Sequence, residues 1–337
     1  MPYAWLSAAI VAGAGLIACL GTRALIALLG RAAVLDRPNE RSLHAAPTPR
    51  GAGIAVIAAI LVAWLSLAAI GPGGMPVLWP VLAGALLLFG ISWLDDLRGL
   101  APAPRLLVQA VAVGLGMLAL APAGRVFQGW LAAVPDAAGA ALLWLWFVNL
   151  FNFMDGIDGL AGSEAAALGI GLMLFAGSGV GYDPGLLWLA AASGAAALGF
   201  LVWNWAPARI FLGDVGSVPL GFLLGFLLLR VAAQGHWKIA LILPLYFLAD
   251  ATITLLRRLA RSEPVWQAHR QHFYQRAVQR GLGHAAVVRR IIAANLVLIG
   301  CGWASENGWG VAALAVAAAA VLALLWSLGG GWRRRPV

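Results

Sequence analysis

The sequence predicts an all-α, polytopic integral membrane protein. Of its 337 residues, 62% are hydrophobic and only 10% are charged, and the mean hydropathy is +0.90. A soluble domain carries about 25% charged residues, so little of this chain is expected outside the membrane. The apolar residues also fall into runs of about 20, the length that an α-helix needs to cross the hydrocarbon layer.

These runs predict about eleven transmembrane helices within a single membrane-embedded domain that covers residues 1–337. They lie near 4–29, 51–70, 77–94, 104–121, 138–152, 162–179, 185–203, 215–233, 238–256, 287–303 and 309–329. We interpret the first run as a retained helix rather than a cleaved signal peptide, because no small-residue cleavage site follows it. Cys19 and Cys301 lie inside apolar runs, which favours packing over a disulfide or a metal site.

The basic residues indicate the orientation of the chain. All of its 22 basic residues except Arg125, Arg230 and Lys238 lie in or beside the loops after spans 1, 3, 7 and 9, or in the C-terminal tail. Loops rich in Lys and Arg face the cytoplasm. With an odd number of spans, the N-terminus is then periplasmic and the C-terminus cytoplasmic. No soluble domain remains to present a groove, so nucleic acid is not an expected partner.

Five of the 13 acidic residues are predicted at the cytoplasmic ends of spans, where a charge is costly. They are Asp95, Asp96, Asp155, Asp158 and Asp214. Carboxylates at a membrane edge suit a divalent metal held against a phosphorylated substrate. The sequence therefore predicts an active site on the cytoplasmic face, formed by loops near 30–50, 95–105, 152–161, 204–216 and 257–290.

Asp95 and Asp96 are adjacent, so their side chains diverge by about 100° on a helix. One is expected to face a metal or a proton donor while the other binds a neighbouring arginine. The alternative is a purely structural helix end, with Arg98 and Arg105 as partners. Two anions at a helix C-terminus oppose the helix dipole, which favours the functional interpretation.

Polar residues recur at every third position from Asn149 to Asp158, so successive members are neighbours on a helix surface. We expect Asn149, Asn152 and Asp155 to share one face of a helix and Asp158 to lie outside that face. Asp158 is alternatively the N-cap of the next helix. Asp214, just before span 8, is either an N-cap or a metal ligand beside backbone N–H groups that bind phosphate.

Two basic loops are candidate phosphate-binding segments. In the loop after span 1, Arg41, His44 and Arg50 are predicted to bind phosphate, although an ordinary positive-inside loop explains them equally well. In the long loop after span 9, the spacing of His269, His272 and Arg276 predicts one face of a helix. Asp250, inside span 9, is interpreted as a structural partner of Arg257 or Arg258.

Together these segments resemble the polyprenyl-phosphate N-acetylhexosamine-1-phosphate transferases, the superfamily of MraY and WecA. The resemblance covers nearly the whole chain and follows ordered motifs at 47–51, 95–96, 152–159, 211–217 and 269–272. It implies transfer of a sugar 1-phosphate from a UDP-sugar to undecaprenyl phosphate, with release of UMP. It also implies Mg²⁺ or Mn²⁺ as cofactor, a bacterial inner membrane, and a homodimer.

The resemblance assigns roles to the predicted site residues. The predicted catalytic residues are Asp95, Asp96, Asp155 and Asp158. The predicted substrate-binding residues are Arg41, His44, Arg50, Asn152, His269, Arg270, His272 and Arg276. The predicted metal ligands are Asp214 and Asn152. Asp95 or Asp96 would accept or position the proton of the lipid phosphate.

His269 and His272 are separated by two residues, whereas MraY and WecA carry a tighter histidine cluster. This spacing is more similar to enzymes that start O-antigen or other surface-polysaccharide units, often from UDP-activated 6-deoxy-N-acetylhexosamines. The donor is therefore left open between UDP-N-acetylfucosamine, UDP-N-acetylquinovosamine and UDP-N-acetylglucosamine.

Two other functions compete with this one. A transporter or flippase of an anionic lipid or sugar phosphate would place polar groups near the bilayer midplane, often in two related halves. Here the charges lie at helix ends. A phosphotransferase acting on CDP-activated lipids would carry closely spaced aspartates on one helix, a pattern that this sequence lacks.

Overall fold

The computed structural model describes residues 4–36, 43, 46–70, 78–180, 183–264, 267 and 269–330. Within them the chain is almost entirely helical, which confirms the predicted all-α, polytopic membrane fold. The helices are α1 (Ala4–Arg31), α2 (Gly53–Ile70), α3 (Trp79–Arg98), α4 (Pro102–Leu120), α5 (Ala133–Phe153), α6 (Leu160–Ala176), α7 (Pro184–Asn204), α8 (Asp214–Ala233), α9 (Trp237–Ile242), α10 (Leu245–Ala260), α11 (Phe273–Gln279), α12 (His284–Glu306) and α13 (Gly310–Gly329). Two short strands are β1 (Leu35–Asp36) and β2 (Thr48–Pro49).

Nine helices in the described part of the chain are long and apolar enough to cross a membrane: α1 to α5, α7, α8, α12 and α13. The apolar helix α6 is shorter, with 17 residues. The ninth predicted span is broken into α9 and α10 by a turn at Leu243 and Pro244, because proline cannot donate a helical hydrogen bond. The total of eleven spans and the orientation of the termini stay predictions.

Helix α8 lies at the centre of the bundle. Almost all of its side chains are buried, and α2 to α7 and α9 pack around it. Trp144 of α5 stacks on Phe222 of α8 at 4.7 Å between ring centroids and donates from Nε1 to the Phe222 carbonyl. Large apolar side chains on the outer helices, such as Leu142 and Val311, are exposed, as expected for surfaces that contact lipid.

The segment after β2 pairs with the segment before α8. The Phe211 N–H donates to the Pro49 carbonyl at 2.8 Å, and the Gly51 N–H donates to the Phe211 carbonyl at 3.1 Å. Next to this pairing, α2 and α8 begin in direct contact. A Cβ atom on Gly53 would lie 2.2 Å from the Gly216 Cα, so only glycine permits this approach.

Candidate active site

Asp214, the first residue of α8, collects donors from several segments of the chain. Its Oδ1 accepts hydrogen bonds from Arg50 Nη2 at 2.8 Å and from Asn152 Nδ2 at 3.1 Å. Arg105 Nη2 lies 3.4 Å from its Oδ2. Arg50 precedes α2, Arg105 is in the first turn of α4, and Asn152 is in the last turn of α5. Side chains from three separate segments of the chain therefore meet at this one carboxylate.

The same two arginines bind the aspartate pair at the end of α3. Arg50 Nη2 lies 2.7 Å from Asp96 Oδ1, and Arg105 Nη1 lies 2.8 Å from Asp95 Oδ2. Each arginine thus joins one carboxylate of α3 to Asp214. The two aspartates diverge as expected for neighbours on a helix, and in this structure both bind an arginine.

Asp96 also caps α8 from a different helix. It accepts hydrogen bonds from the N–H groups of Asp214 at 3.1 Å and Val215 at 2.8 Å, and its side chain is 1% exposed. Gly213, the N-cap residue, has φ +76° and no side chain with which to cap the helix. The backbone N–H groups that the sequence offered for phosphate are therefore already bound to Asp96.

Asp155 lies beyond the end of α5, because the helix stops at Phe153. The predicted shared helix face is therefore wrong for Asp155, and Asn149 points elsewhere, donating to Gln109 at 2.8 Å. Removal from solvent, followed by the negative charge of Asp214, raises the pKa of the Asp155 carboxyl well above its usual range, partly opposed by Arg50. A raised pKa makes the ionised Asp155 carboxylate a stronger base than an ordinary aspartate.

Asp158 connects the start of α6 to two other segments. Its carboxylate lies 3.2 Å from His284 Nδ1, at the start of α12, and accepts a hydrogen bond from the Ala208 N–H at 3.0 Å. The alternative that Asp158 caps α6 is wrong, because Gly159 is the N-cap residue and no side-chain cap is formed. Its catalytic assignment stays a prediction.

The histidine segment is not the helix face that its spacing predicted. Helix α11 begins only at Phe273, so His269 and His272 precede it and do not share a helix face with Arg276. His272 is the N-cap residue and forms a capping box with Gln275. The rings of His269 and His272 pack together at 4.9 Å between centroids, and the His272 side chain is only 4% exposed.

Asp250 of α10 fixes this segment, a role that the sequence interpretation missed. The Asp250 carboxylate is fully buried, lies 3.1 Å from His272 Nδ1 and accepts the N–H of Phe273 at 3.0 Å. Its interpretation as a partner of Arg257 or Arg258 is wrong, because Arg258 pairs with Glu263 at 3.1 Å. Tyr246 and Thr254, four residues away on α10, also donate to Asp250. His272 and Phe273 lie across a loop, where helical spacing gives no signal.

Tyr274 links the histidine segment to the aspartate centre. Its hydroxyl donates to the Phe153 carbonyl at 3.0 Å, at the end of α5 and two residues before Asp155. Arg270 and Arg276, predicted to bind substrate, line a separate cavity with Arg257 and Arg261.

The predicted Arg41 and His44 lie outside the described residues.

The Asp214 carboxylate supplies oxygen ligands, the type that Mg²⁺ prefers. In the described ranges, no group of three or more His, Cys, Asp or Glu side chains is placed to hold a metal ion. Mg²⁺ commonly takes only one or two carboxylates and completes its shell with substrate phosphate and water, a role that Asp214 fits. Asn152 turns its amide nitrogen toward Asp214, so it orients this carboxylate in the structure. Metal binding by both residues stays a prediction.

The fold and the site define a polytopic membrane protein with a centre of carboxylates and arginines at one end of its helix bundle. Such a centre suits phosphoryl transfer, which depends mainly on positioning and charge neutralisation. Residues 78–232 match the model of glycosyl transferase family 4. This match includes the motifs at 95–96, 152–159 and 211–217.

Curated relatives extend the match over most of the chain. The chain is 28% identical over 264 residues to a probable undecaprenyl-phosphate N-acetylglucosaminyl 1-phosphate transferase of Bacillus subtilis (strain 168), covering 74% of this chain and 71% of the relative. It is 28% identical over 317 residues to a decaprenyl-phosphate N-acetylglucosaminephosphotransferase of Mycobacterium tuberculosis (strain H37Rv), covering 82% and 76%. A phospho-N-acetylmuramoyl-pentapeptide-transferase of Synechococcus sp. (strain RCC307) is 36% identical over 173 residues, covering 44% and 46%.

These comparisons support the superfamily of MraY and WecA for this chain, and because its relatives are transferases, the chain is an enzyme. These relatives are named as transferases, so they give the transporter alternative no support.

Proposed function

We propose that this protein transfers an N-acetylhexosamine 1-phosphate from a UDP-sugar to undecaprenyl phosphate and releases UMP. The observation that carries this proposal is the convergence of Arg50, Arg105 and Asn152 on Asp214. The relatives from Bacillus subtilis and Mycobacterium tuberculosis are named for polyprenyl phosphates, which agrees with the membrane-embedded fold. The product would initiate a cell-surface polysaccharide such as O-antigen, on the cytoplasmic face of the inner membrane.

Arg50 and Arg105 are the groups that bind the diphosphate of the donor. Their side chains are 33% and 28% exposed, whereas Asp96 and Asp95 behind them are 1% and 7% exposed. Each guanidinium thus has an accessible side, while its aspartates fix its orientation. Arginine binds phosphate oxygens through paired, charge-assisted hydrogen bonds, so this pair presents a preformed cradle for two phosphate groups.

The reaction follows as a direct displacement. An oxygen of the polyprenyl phosphate attacks the donor phosphorus that carries the sugar, and the bond to the bridging oxygen breaks. UMP leaves with that electron pair, while sugar and lipid become joined through a diphosphate. Asp155, with its raised pKa, accepts the proton of the lipid phosphate if this is present as the monoanion. No covalent enzyme intermediate is required.

Mg²⁺ or Mn²⁺, when bound, neutralises charge on the diphosphate. Asp214 would hold it, and Asn152 would keep this carboxylate oriented. Arg50 contacts Oδ1 of Asp214 and Arg105 lies near its Oδ2, so a bound metal would share this carboxylate with guanidinium groups.

The test is release of UMP by the purified protein in detergent, with undecaprenyl phosphate, Mg²⁺ and a panel of UDP-N-acetylhexosamines. The panel contains the N-acetylglucosamine, N-acetylquinovosamine and N-acetylfucosamine donors. We expect UMP from at least one donor, dependent on both lipid and metal. Asp214→Asn should reduce the rate by about 10²–10³-fold, the usual cost of removing one electrostatic group from such a centre.

The matched control is Asp183→Asn, at the start of α7, which removes a carboxylate that binds Arg230 and Gln234. Its rate should stay within about twofold of the wild type, as expected for a structural contact that lies away from Asp214. Equal losses in both variants would reject Asp214 as the centre. Absence of UMP with every donor, from folded protein, would reject the proposed reaction for these sugars.

A further inference from the structure

Asn204, the last residue of α7, joins two segments of backbone that are distant in the sequence. It is buried, with 3% of its surface exposed. Its Oδ1 accepts the Gly159 N–H at 2.9 Å, and its Nδ2 donates to the Ile210 carbonyl at 2.9 Å. A backbone N–H can only donate and a carbonyl can only accept, so these partners fix the orientation of the amide. Neither leucine nor aspartate makes both hydrogen bonds.

The two joined positions lie close to two carboxylates of the candidate active site. Gly159 follows Asp155 by four residues, and Ile210 precedes Asp214 by four residues. Asp155 is the proposed base, and Asp214 is the carboxylate proposed to hold the metal. Asn204 therefore links the segment of the base to the segment of the metal-binding group.

The turn at 154–159 has little freedom of its own. Met154 and Ile157 are 0% and 6% exposed. The Met154 N–H donates to the Leu150 carbonyl at 3.0 Å, and the Leu160 N–H donates to the Ile157 carbonyl at 3.2 Å. A shift of this turn at its Gly159 end therefore moves Asp155 as well.

The segment at 205–213 is held in a similar way. The side chains of Ile210 and Leu212 are fully buried. Between them, the Phe211 N–H donates to the Pro49 carbonyl at 2.8 Å. A shift of this segment at Ile210 therefore reaches Asp214, the first residue of α8.

A second contact connects the same turn and the same segment. The Ala208 N–H donates to Asp158 Oδ2 at 3.0 Å, and Asp158 Oδ1 lies 3.2 Å from His284 Nδ1. Asp158 is itself a predicted catalytic residue, so its replacement would mix two effects. Asn204 is the contact that can be changed while every predicted site residue stays in place.

We propose that Asn204 is a positioning residue that sets the separation between the Asp155 carboxylate and Asp214. This inference rests on the proposed function, in which both groups act on one transfer between two phosphates. Such a transfer depends on in-line placement of the reacting groups. An error of about 1 Å in that placement can lower the rate by up to about 10²-fold.

The first test separates kcat from KM. Asn204→Leu removes both hydrogen bonds, and the matched control Asn149→Leu removes an amide that joins α5 to α4 by donating to Gln109 at 2.8 Å. UMP release is measured against donor concentration. The rate is expressed per donor-binding site, counted with radiolabelled UDP-sugar in the absence of undecaprenyl phosphate, so that a loss of folded protein does not lower it.

We expect kcat per site to fall about tenfold or more in Asn204→Leu. The KM for the donor should stay within about threefold, because Arg50 and Arg105 keep their own carboxylate partners. The control should keep its kcat within about twofold. Asn204→Asp, which retains the acceptor for Gly159 and loses the donor to Ile210, should also lower kcat per site and serves if the leucine variant does not fold.

The second test does not depend on the reaction. Hydrogen exchange of the full-length protein in detergent is followed by mass spectrometry. In Asn204→Leu, the amides of both 155–160 and 205–213 should exchange several-fold faster than in the wild type, because each segment loses a hydrogen bond. In Asn149→Leu, exchange in both segments should match the wild type.

The outcomes distinguish this inference from the proposed function. An unchanged kcat per site in Asn204→Leu, an equal loss in the control, or faster exchange in one segment alone would each overturn the positioning role. A wild-type protein that releases no UMP from any donor would reject the proposed reaction instead. The exchange measurement would then still decide whether Asn204 links the two segments.

Discussion

Carboxylates occur at both ends of this helix bundle, but they are bonded differently. At the site end, Arg50 is shared between Asp96 and Asp214, and Arg105 is shared between Asp95 and Asp214. The opposite end, where α5 and α7 begin and α12 ends, carries Asp136, Asp183 and Glu306. Asp136 accepts the N–H groups of Val126 and Phe127, Asp183 binds Arg230 and Gln234, and Glu306 pairs with His236.

This comparison shows what distinguishes a reactive centre from a structural contact. Among the hydrogen bonds and ion pairs described for the opposite end, each donor serves a single carboxylate. At the site end, two cations are divided among three anions, so an incoming phosphate changes every pair at once. A charge at a helix end is therefore weak evidence for function, whereas shared partners are strong evidence.

The largest expected difference between the two ends follows from replacing an arginine by lysine. Arg50→Lys keeps the charge but cannot bridge two carboxylates and a phosphate with a planar fork, so the rate should fall about 10²-fold. Arg230→Lys at the opposite end should leave the rate within about twofold and lower only the thermal unfolding midpoint. The rate of UMP release and the thermal unfolding midpoint, measured for both variants, test this difference between the two ends. A comparable loss of rate in Arg230→Lys would remove the distinction between the ends.

The two histidine–carboxylate pairs give a second, smaller contrast. His272 lies 3.1 Å from Asp250 near the site, and His236 lies 2.7 Å from Glu306 at the opposite end. Asp250→Asn should lower the rate about tenfold, because the amide cannot accept all the donors that position His272 and α11. Glu306→Gln should leave the rate unchanged and cost about 1 kcal/mol of stability or less.

Rates and unfolding midpoints of both variants decide this contrast. Restoration of the rate in Asp250→Glu, without restoration in an apolar variant, would identify a positioning role that requires a carboxylate. If Asp250→Asn loses stability but keeps its full rate, the pair is structural at both ends.

The smallest expected effect is a pH dependence at the opposite end. Partial burial opposes ionisation of Asp183, but hydrogen bonds from Gln234 and Leu186 and the charge of Arg230 lower its pKa below the usual range. A carboxyl group whose pKa is lower in the folded protein stabilises the fold at pH values above its pKa in the unfolded chain, about 4. This stabilisation is lost as the pH falls through the pKa of the folded protein. The unfolding midpoints of wild type and Asp183→Asn should differ at pH 7, by an amount equivalent to about 1 kcal/mol, and this difference should shrink as the pH falls below about 4. A difference that stays constant or grows as the pH falls below about 4 would contradict this origin.

The sequence predicted the helices well, because apolar runs of the required length end at polar or glycine-rich segments. It failed at 238–256, where Pro244 breaks an apolar run whose hydropathy gives no sign of interruption. It also identified Asp95, Asp96 and Asp214 as neighbours of a site, since charges at apolar ends are costly. The sequence analysis gave Arg105 only a structural role. Its contacts with both Asp95 and Asp214 form only when α3, α4 and α8 are packed together.

The histidine segment shows the same limit. Spacing predicted a helix through His269 and His272, but local hydrogen bonding to Gln275 and the buried Asp250 starts the helix later. Contacts between distant parts of the chain decide that outcome, and periodicity carries no information about them. The placement of Asp155 beyond α5 has the same origin, because Gly156 leaves room for the Tyr274 hydroxyl.

The contact between Gly53 and Gly216 sets the distance between Arg50 and Asp214. Arg50 is three residues before one of these glycines, and Asp214 is two residues before the other. A methyl group at either position would push α2 away from α8 and lengthen the ion pair without altering any charged residue. Loss of activity in this enzyme can thus arise from a single added carbon atom, at positions that touch neither substrate nor metal.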